Sequence, residues 1–410
     1  MFLRVSTTLS PRRTFAALFV LALGGFGIGC TEFASMGLLP QIAANLLPGF
    51  NDHPETSIAE AGNLISAYAL GVVVGAPLLA ALTARASQTR LVFFLLAFFV
   101  MGTVASAVMP DFTSTMVARF VAGLPHGAYF GVASLLAARI MGPGKQGQGI
   151  ALALSGLTVA NIIGVPLVTM LGHSLGWRAA YWAVAGIFAV TLVAGIFVLP
   201  RYPGDPTRHP LKELRAFKSG QLWLMVAVAC IGFGGFFAVY SYLSELAVRL
   251  TGLGNGAVPW LLAVVGIGMT IGNIFGGRLS DYAPHRAMLI GFGGFMAALV
   301  LFALTAQTVP GLFISSGLIG LTSSMLTPAI QSRLIAASGD AALMGAATNH
   351  AAFNVGNSLG AALGGAVIAA GLGYLAPAWV GLGLATCGLL LLLVSLGWER
   401  RTGALYPVKA

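Results

Sequence analysis

The chain has 410 residues, 58% of them hydrophobic and 8% charged, against about 25% charged in a soluble domain. There is too little charge to cover a water-facing surface, and no ~10-residue alternating segments of a β-barrel appear, so the composition points to a polytopic α-helical membrane protein. The formal net charge of +10 raises nucleic acid as a partner, but the loop distribution below accounts for it and no nucleic acid is expected.

The N-terminus comes first. Ser10-Pro11-Arg12-Arg13-Thr14-Phe15 has the look of a twin-arginine signal, and Gly27-Ile28-Gly29-Cys30 that of a lipoprotein cleavage box. The apolar run continues past Cys30 to Leu39 and more runs follow. It therefore reads as a first span, with Arg12 and Arg13 as flanking charges. Runs long enough to cross a bilayer recur at 14–39, 58–83, 89–109, 112–140, 146–172, 177–199, 221–249, 257–280, 285–306, 309–335, 343–371 and 374–397. Twelve helices are expected, in two pseudo-symmetric six-helix bundles covering 1–199 and 221–410. The basic, Pro-rich stretch 200–220 is their linker, with a short amphipathic helix at 211–217. Cys30, Cys230 and Cys387 fall in apolar runs and read as packing residues, with no metal site or disulfide.

Within the first run stands Glu32, the only one of the 11 acidic residues that the spans place deep in the membrane. An ionisable group there costs roughly 2.5–3.5 kcal/mol on insertion scales. It reads as a proton-handling group; a structural carboxyl bonded to a neighbouring helix is the alternative. Arg119, in the fourth run, is the one basic residue inside a span. Glu32 precedes Pro40 by eight residues and Arg119 follows Asp111 by eight. At ~1.5 Å per residue both lie ~12 Å below the same surface.

The remaining basic residues set the topology. Eighteen of the 21 fall on one side: Arg4, Arg12, Arg13, Arg85, Arg90, Arg139, Lys145, Arg201, Arg208, Lys212, Arg215, Lys218, Arg278, Arg286, Arg333, Arg400, Arg401 and Lys409. Only Arg178 and Arg249 fall on the other. The positive-inside rule makes the first side, with both termini, cytoplasmic.

An internal repeat supports the two halves. The turn after the second run, Ala80–Arg85, aligns with Gly277-Arg278-Leu279-Ser280-Asp281 after the eighth. The same offset sets Gly123-Leu124 against Gly320-Leu321.

Further polar candidates follow. Arg119, Gly123, His126 and Gly127 share one helical face, a cavity wall on which His126 relays protons or bonds substrate, or merely ties two helices together. Asn161 and Asn354 occupy matching regions of the fifth and eleventh helices, as substrate ligands or interhelical ties. The seventh carries Phe233, Phe236, Phe237, Tyr240 and Tyr242, an aromatic wall in which Tyr240 is the best substrate contact; plain packing is the alternative. No GxxxxGK[ST] loop is present, so transport draws on an ion gradient or runs downhill. A membrane-embedded enzyme is the competing class, against which stands the lack of HExxH and of a histidine cluster.

Several stretches resemble one family. Thr31-Glu-Phe-Ala-Ser-Met-Gly-Leu-Leu-Pro40 is similar to the first helix of drug:proton antiporters of the major facilitator superfamily. Tyr68–Pro77, Gly123–Gly131 and Gly156–Pro166 resemble the branch of arabinose-type sugar efflux proteins and chloramphenicol-resistance exporters. The resemblance implies a twelve-helix fold in which the first and fourth helices of each half line a central cavity. It also brings Glu32 and Arg119 together, so that a change in their separation loads or releases a proton. Gly164 and Pro166 match the fifth-helix signature. In the cytoplasmic turn motif the first half departs from the family: Ala80 and Ala84 stand where Gly and Asp are usual, with only Arg85 and Arg90 kept. The second half retains Gly277, Asp281 and Arg286 and would hold the conformational latch alone; ordinary loop charges are the alternative.

Together these imply a secondary transporter of the bacterial inner membrane, exporting small neutral or weakly polar compounds such as sugars or chloramphenicol-like drugs in exchange for protons. The alternative is a proton-independent facilitator or importer. A monomer without cofactors is expected, with the substrate, protons and lipid as partners.

Overall fold

The computed structural model describes residues 10–52, 57, 60–204, 213–253 and 257–402. Among the described residues, twelve apolar helices are long enough to span a membrane. They are α1 (Pro11–Ser35), α2 (Asn63–Leu82), α3 (Gln88–Val108), α4 (Phe112–Met141), α5 (Gln146–Leu175), α6 (Trp177–Val198), α7 (Gly220–Tyr240), α8 (Trp260–Tyr282), α9 (Pro284–Thr305), α10 (Val309–Ala337), α11 (Ala342–Ile368) and α12 (Ala376–Arg401). No strand occurs among the described residues. Arg4, Arg208, Lys212 and Lys409 of the basic set lie outside the described residues. So does the start of the expected amphipathic helix at 211–217, of which a 3-10 turn, Leu214–Lys218, is seen.

Local chemistry sets several helix ends. The Ser10 hydroxyl caps α1 by accepting from the Arg13 amide, with Pro11 in the first turn, where its missing N–H is harmless. Asp111 caps α4, accepting from the Ser114 amide at 2.9 Å and from its hydroxyl at 2.7 Å. These bonds hold its carboxyl below the usual carboxylate range.

Two interiors depart from the simple α pattern. In α5 a π turn, Ala160–Gly164, precedes Pro166. A proline in a regular helix strips the bond to the carbonyl four residues back and clashes with it, and the widened turn makes room. The span expected over 221–249 is two helices. A π turn at Val228–Gly232 interrupts α7, which stops at Tyr240, and a separate helix, Leu243–Thr251, follows a turn at Ser241 and Tyr242.

The outer surface is apolar: Phe197 is 77% exposed and Leu304 70%. Such a girdle suits hydrocarbon, where a helix satisfies its own backbone. Inside, α1–α6 pack among themselves, as do α7–α12. The two sets meet where α11 lies on α2 and α4 and where α8 lies on α5. Close approach there rests on glycine. A Cβ at Gly127 would stand 3.1 Å from the Ala347 carbonyl oxygen, and one at Gly131 2.9 Å from the Ala347 amide nitrogen.

One basic residue is not where its charge alone would put it. Arg333, counted with the basic side at the end of the tenth expected span, is 1% exposed within α10. It pairs with Glu399 of α12 at 3.0 Å and donates to the Ser395 hydroxyl at 3.2 Å. A cation buried in a bundle needs a counter-charge or oxygen acceptors from a neighbouring helix.

Candidate functional site

Between the two sets of helices lies a cavity of about 70 Å³, below the ~300 Å³ of a typical ligand pocket. A substrate therefore requires the halves to part. Glu32 of α1, His126 of α4, Asn161 of α5, Tyr240 of α7 and Asn354 of α11 all line it. These are residues singled out from sequence, and the fold brings them to one place from both halves.

Glu32 is 8% exposed. It has no ion-pair or hydrogen-bond partner among the described residues. Arg119, the expected partner, is fully buried on α4 and faces α1 at the anticipated depth. It grips the residue before: Nη1 donates to Thr31 Oγ1 and Nη2 to the Thr31 carbonyl, each at 3.0 Å. Tyr68 and Tyr181 flank the guanidinium, their ring centroids 4.4 and 5.5 Å away. Neighbours on a helix point about 100° apart. Thr31 thus meets α4 while Glu32 turns into the cavity. The expected Glu32–Arg119 ion pair is not formed here.

His126 Nδ1 lies 3.1 Å from the Tyr68 hydroxyl. The Tyr240 hydroxyl donates to Asn161 Oδ1 at 3.3 Å and so links the halves. Asn161 and Asn354 each also donate to the carbonyl one turn back, of Leu157 and His350. Phe233 and Phe353 stack at 4.4 Å, and Phe236 stacks on Tyr240 at 4.9 Å. Phe237 joins this wall, whereas Tyr242 donates to the Ala361 carbonyl.

His350 was not singled out from sequence. It sits 3% exposed on α11 and lines the cavity opposite His126. Its signal is a polar residue four before Asn354, on the same helical face. Asn273 is a second such residue, donating from α8 to the Ala151 carbonyl of α5 at 2.7 Å.

At the end of the bundle bearing most of the basic residues, Asp281 reaches from α8 to the start of α5. It accepts from the Gly147 amide at 2.5 Å and the Gln148 amide at 3.2 Å. Helix α5 has no side-chain cap of its own, so a carboxylate from the other half meets its exposed amides and dipole. Gly277 lies against Gly147. Arg85, Arg90 and Arg286 are exposed, and Ala84 is 6% exposed. Gly164 packs on Cys30 and Phe26 of α1.

Two serines stand in GxSxG spacing, Ser174 and Ser358. Both lie in helices and donate to carbonyls one turn back, of Met170 and Asn354, at 3.0 and 3.2 Å. Neither is on the strand-to-helix elbow that exposes a nucleophile.

Two helical bundles closing on a small cavity, with polar groups contributed from both sides, are the architecture of many membrane transporters. The family model of the Major Facilitator Superfamily matches residues 21–258 and 243–407, and the chain belongs to that superfamily. It is 38% identical to the inner membrane transport protein YdhP of Escherichia coli K12 over 92% of this chain and 94% of that one. It is 31% identical to a chloramphenicol resistance protein of Streptomyces lividans over 88% and 91%. The fold matches the proton:xylose symporter XylE with a TM-score of 0.74 at 13% identity, covering 95% of this chain and 96% of that one. The protein is a multi-pass inner-membrane transporter and not an enzyme.

Proposed function

We propose that the protein exports a small neutral or weakly polar compound, of the sugar or chloramphenicol type, in exchange for protons. Glu32 carries the reading: a buried carboxylate without an ion-pair partner among the described residues, facing the cavity between the halves. Intramembrane carboxyls mark proton and substrate pathways. Glu32 takes up and releases the proton, with Arg119 and His126 acting beside it. Asn161, Tyr240 and Asn354 hold the substrate against the aromatic wall, and the chloramphenicol resistance protein among the relatives supports that ligand class.

Asp281 and Gly277 latch the basic end, which the positive-inside rule assigns to the cytoplasm together with both termini. Gly164 and Pro166 shape α5 where it must shift. Each chain supplies both walls of its cavity, which supports a working monomer. The test is uptake of a substrate panel into inverted vesicles with and without an imposed pH gradient. Gradient-dependent accumulation is expected. Flux indifferent to the gradient would make the protein a facilitator.

A further inference from the structure

His126 and His350 face each other across the two halves with ring centroids 5.5 Å apart. They are 1% and 3% exposed. His350 stacks on Phe130 of α4 at 4.1 Å, and its Nε2 has no hydrogen-bond partner among the described residues. The next residue after His126 is Gly127, and Ala347, three before His350, is what Gly127 and Gly131 abut. The pair therefore sits one turn from the tightest contact between α4 and α11, on the cavity wall.

We infer that His126 and His350 form a second proton-binding site, whose protonation parts α4 from α11 and opens the basic end. This rests on the exporter reading and adds to it the His350 ring, brought from the other half of the molecule to face His126. With the halves together, a proton on either ring is buried with little counter-charge, and a proton on both sets two cations side by side. With the halves apart, water solvates both. Protons thus favour separation by linkage, because the parted state binds more of them.

The groups facing the pair fit this. Tyr68 of α2 bonds His126. Glu32 of α1 and Tyr240 of α7 line the same cavity. Arg119, two turns away on α4, is held by Thr31. Arg333 of α10 is neutralised by Glu399 of α12, and Asp281 of α8 is engaged with α5. Among the described residues, Glu32 is the only carboxylate lining the cavity.

The test uses spin labels at Pro143 and Asp340, exposed ends beside α4 and α11, after Cys30, Cys230 and Cys387 are replaced. Distances are read in nanodiscs from about pH 8 to about pH 5, the window in which imidazole titrates. The parent should lose roughly half or more of its short-distance population on acidification. His126→Gln/His350→Gln should keep the pH 8 distribution and lose the response, and so should His350→Asn alone. Glu32→Gln should keep the response. A parent that ignores pH overturns the inference, as does a response that survives in both histidine variants or vanishes in Glu32→Gln. If proton-driven uptake fails while the histidine-dependent shift is seen, the exporter reading falls and the pair stands as a pH-operated gate.

Discussion

Arg119 holds helix α1 through Thr31 and leaves the adjacent Glu32 to the cavity. Its two donors close on the Thr31 hydroxyl and carbonyl at 3.0 Å each. The basic group and the acidic group sit at one depth on neighbouring helices, yet in this conformation they do not pair. Setting Glu32 in place of Thr31 in front of the guanidinium would take a turn of α1 by about 100° or a shift in how α1 and α4 meet, and the proposed proton cycle requires such a change.

Glu32→Gln is nearly isosteric and cannot change protonation. Substrate binding should survive within about tenfold, or ~1.4 kcal/mol. Uphill efflux and substrate-induced proton release should vanish, while exchange of labelled for unlabelled substrate persists. Uptake into inverted vesicles beside exchange in proteoliposomes reads both. Parental pumping by the variant would make Glu32 structural.

Thr31→Val removes one of the two acceptors facing Arg119 and should cost roughly 1–3 kcal/mol. Arg119→Lys loses the fork that spans hydroxyl and carbonyl and should not rescue transport. Arg119→Ala should be the most damaging to activity. Thermal unfolding in detergent with parallel uptake assays ranks the three; an unaltered melting temperature in Thr31→Val would remove Thr31 from the account.

Asp281→Asn keeps one acceptor oxygen but loses the charge that meets the α5 amides, and losing such a cap costs about 1 kcal/mol. Its transport should be slower than the parent's, with more open time at the basic end. Ala84→Gly should be mild by comparison. Accessibility of a cysteine at Ser280, buried next to Asp281, to a soluble thiol reagent measures the opening, and equal labelling in Asp281→Asn and parent would rule out a latch at Asp281.

Arg333→Ala takes the buried cation from Glu399, leaving it His285 at 3.3 Å, and should destabilise the fold by about 3 kcal/mol. Adding Glu399→Gln should recover part of that loss, a coupling that a thermal-shift double-mutant cycle detects.

Cysteine in place of Lys218, exposed on the segment before α7, should react with an impermeant reagent only in inverted vesicles. Cysteine at Asp52, at the other end, should react in intact cells. The reverse pattern would invert the proposed orientation.

Hydropathy is a local property, so the twelve spans and the deep position of Glu32 were legible along the chain; a run such as Gln88–Val108 needs no partner to declare itself. Helical spacing also placed Arg119 at the depth of Glu32 and put His126 on its face. Which way each side chain turns is set by the angle and register at which distant helices meet. That is why Thr31 and not Glu32 faces Arg119, why Arg333 finds Glu399 inside the bundle, and why His350 stands opposite His126. The break of the seventh span at Tyr240 was hidden for the same reason: apolar composition runs on to Leu243 without a pause, and only packing decides where the helix stops.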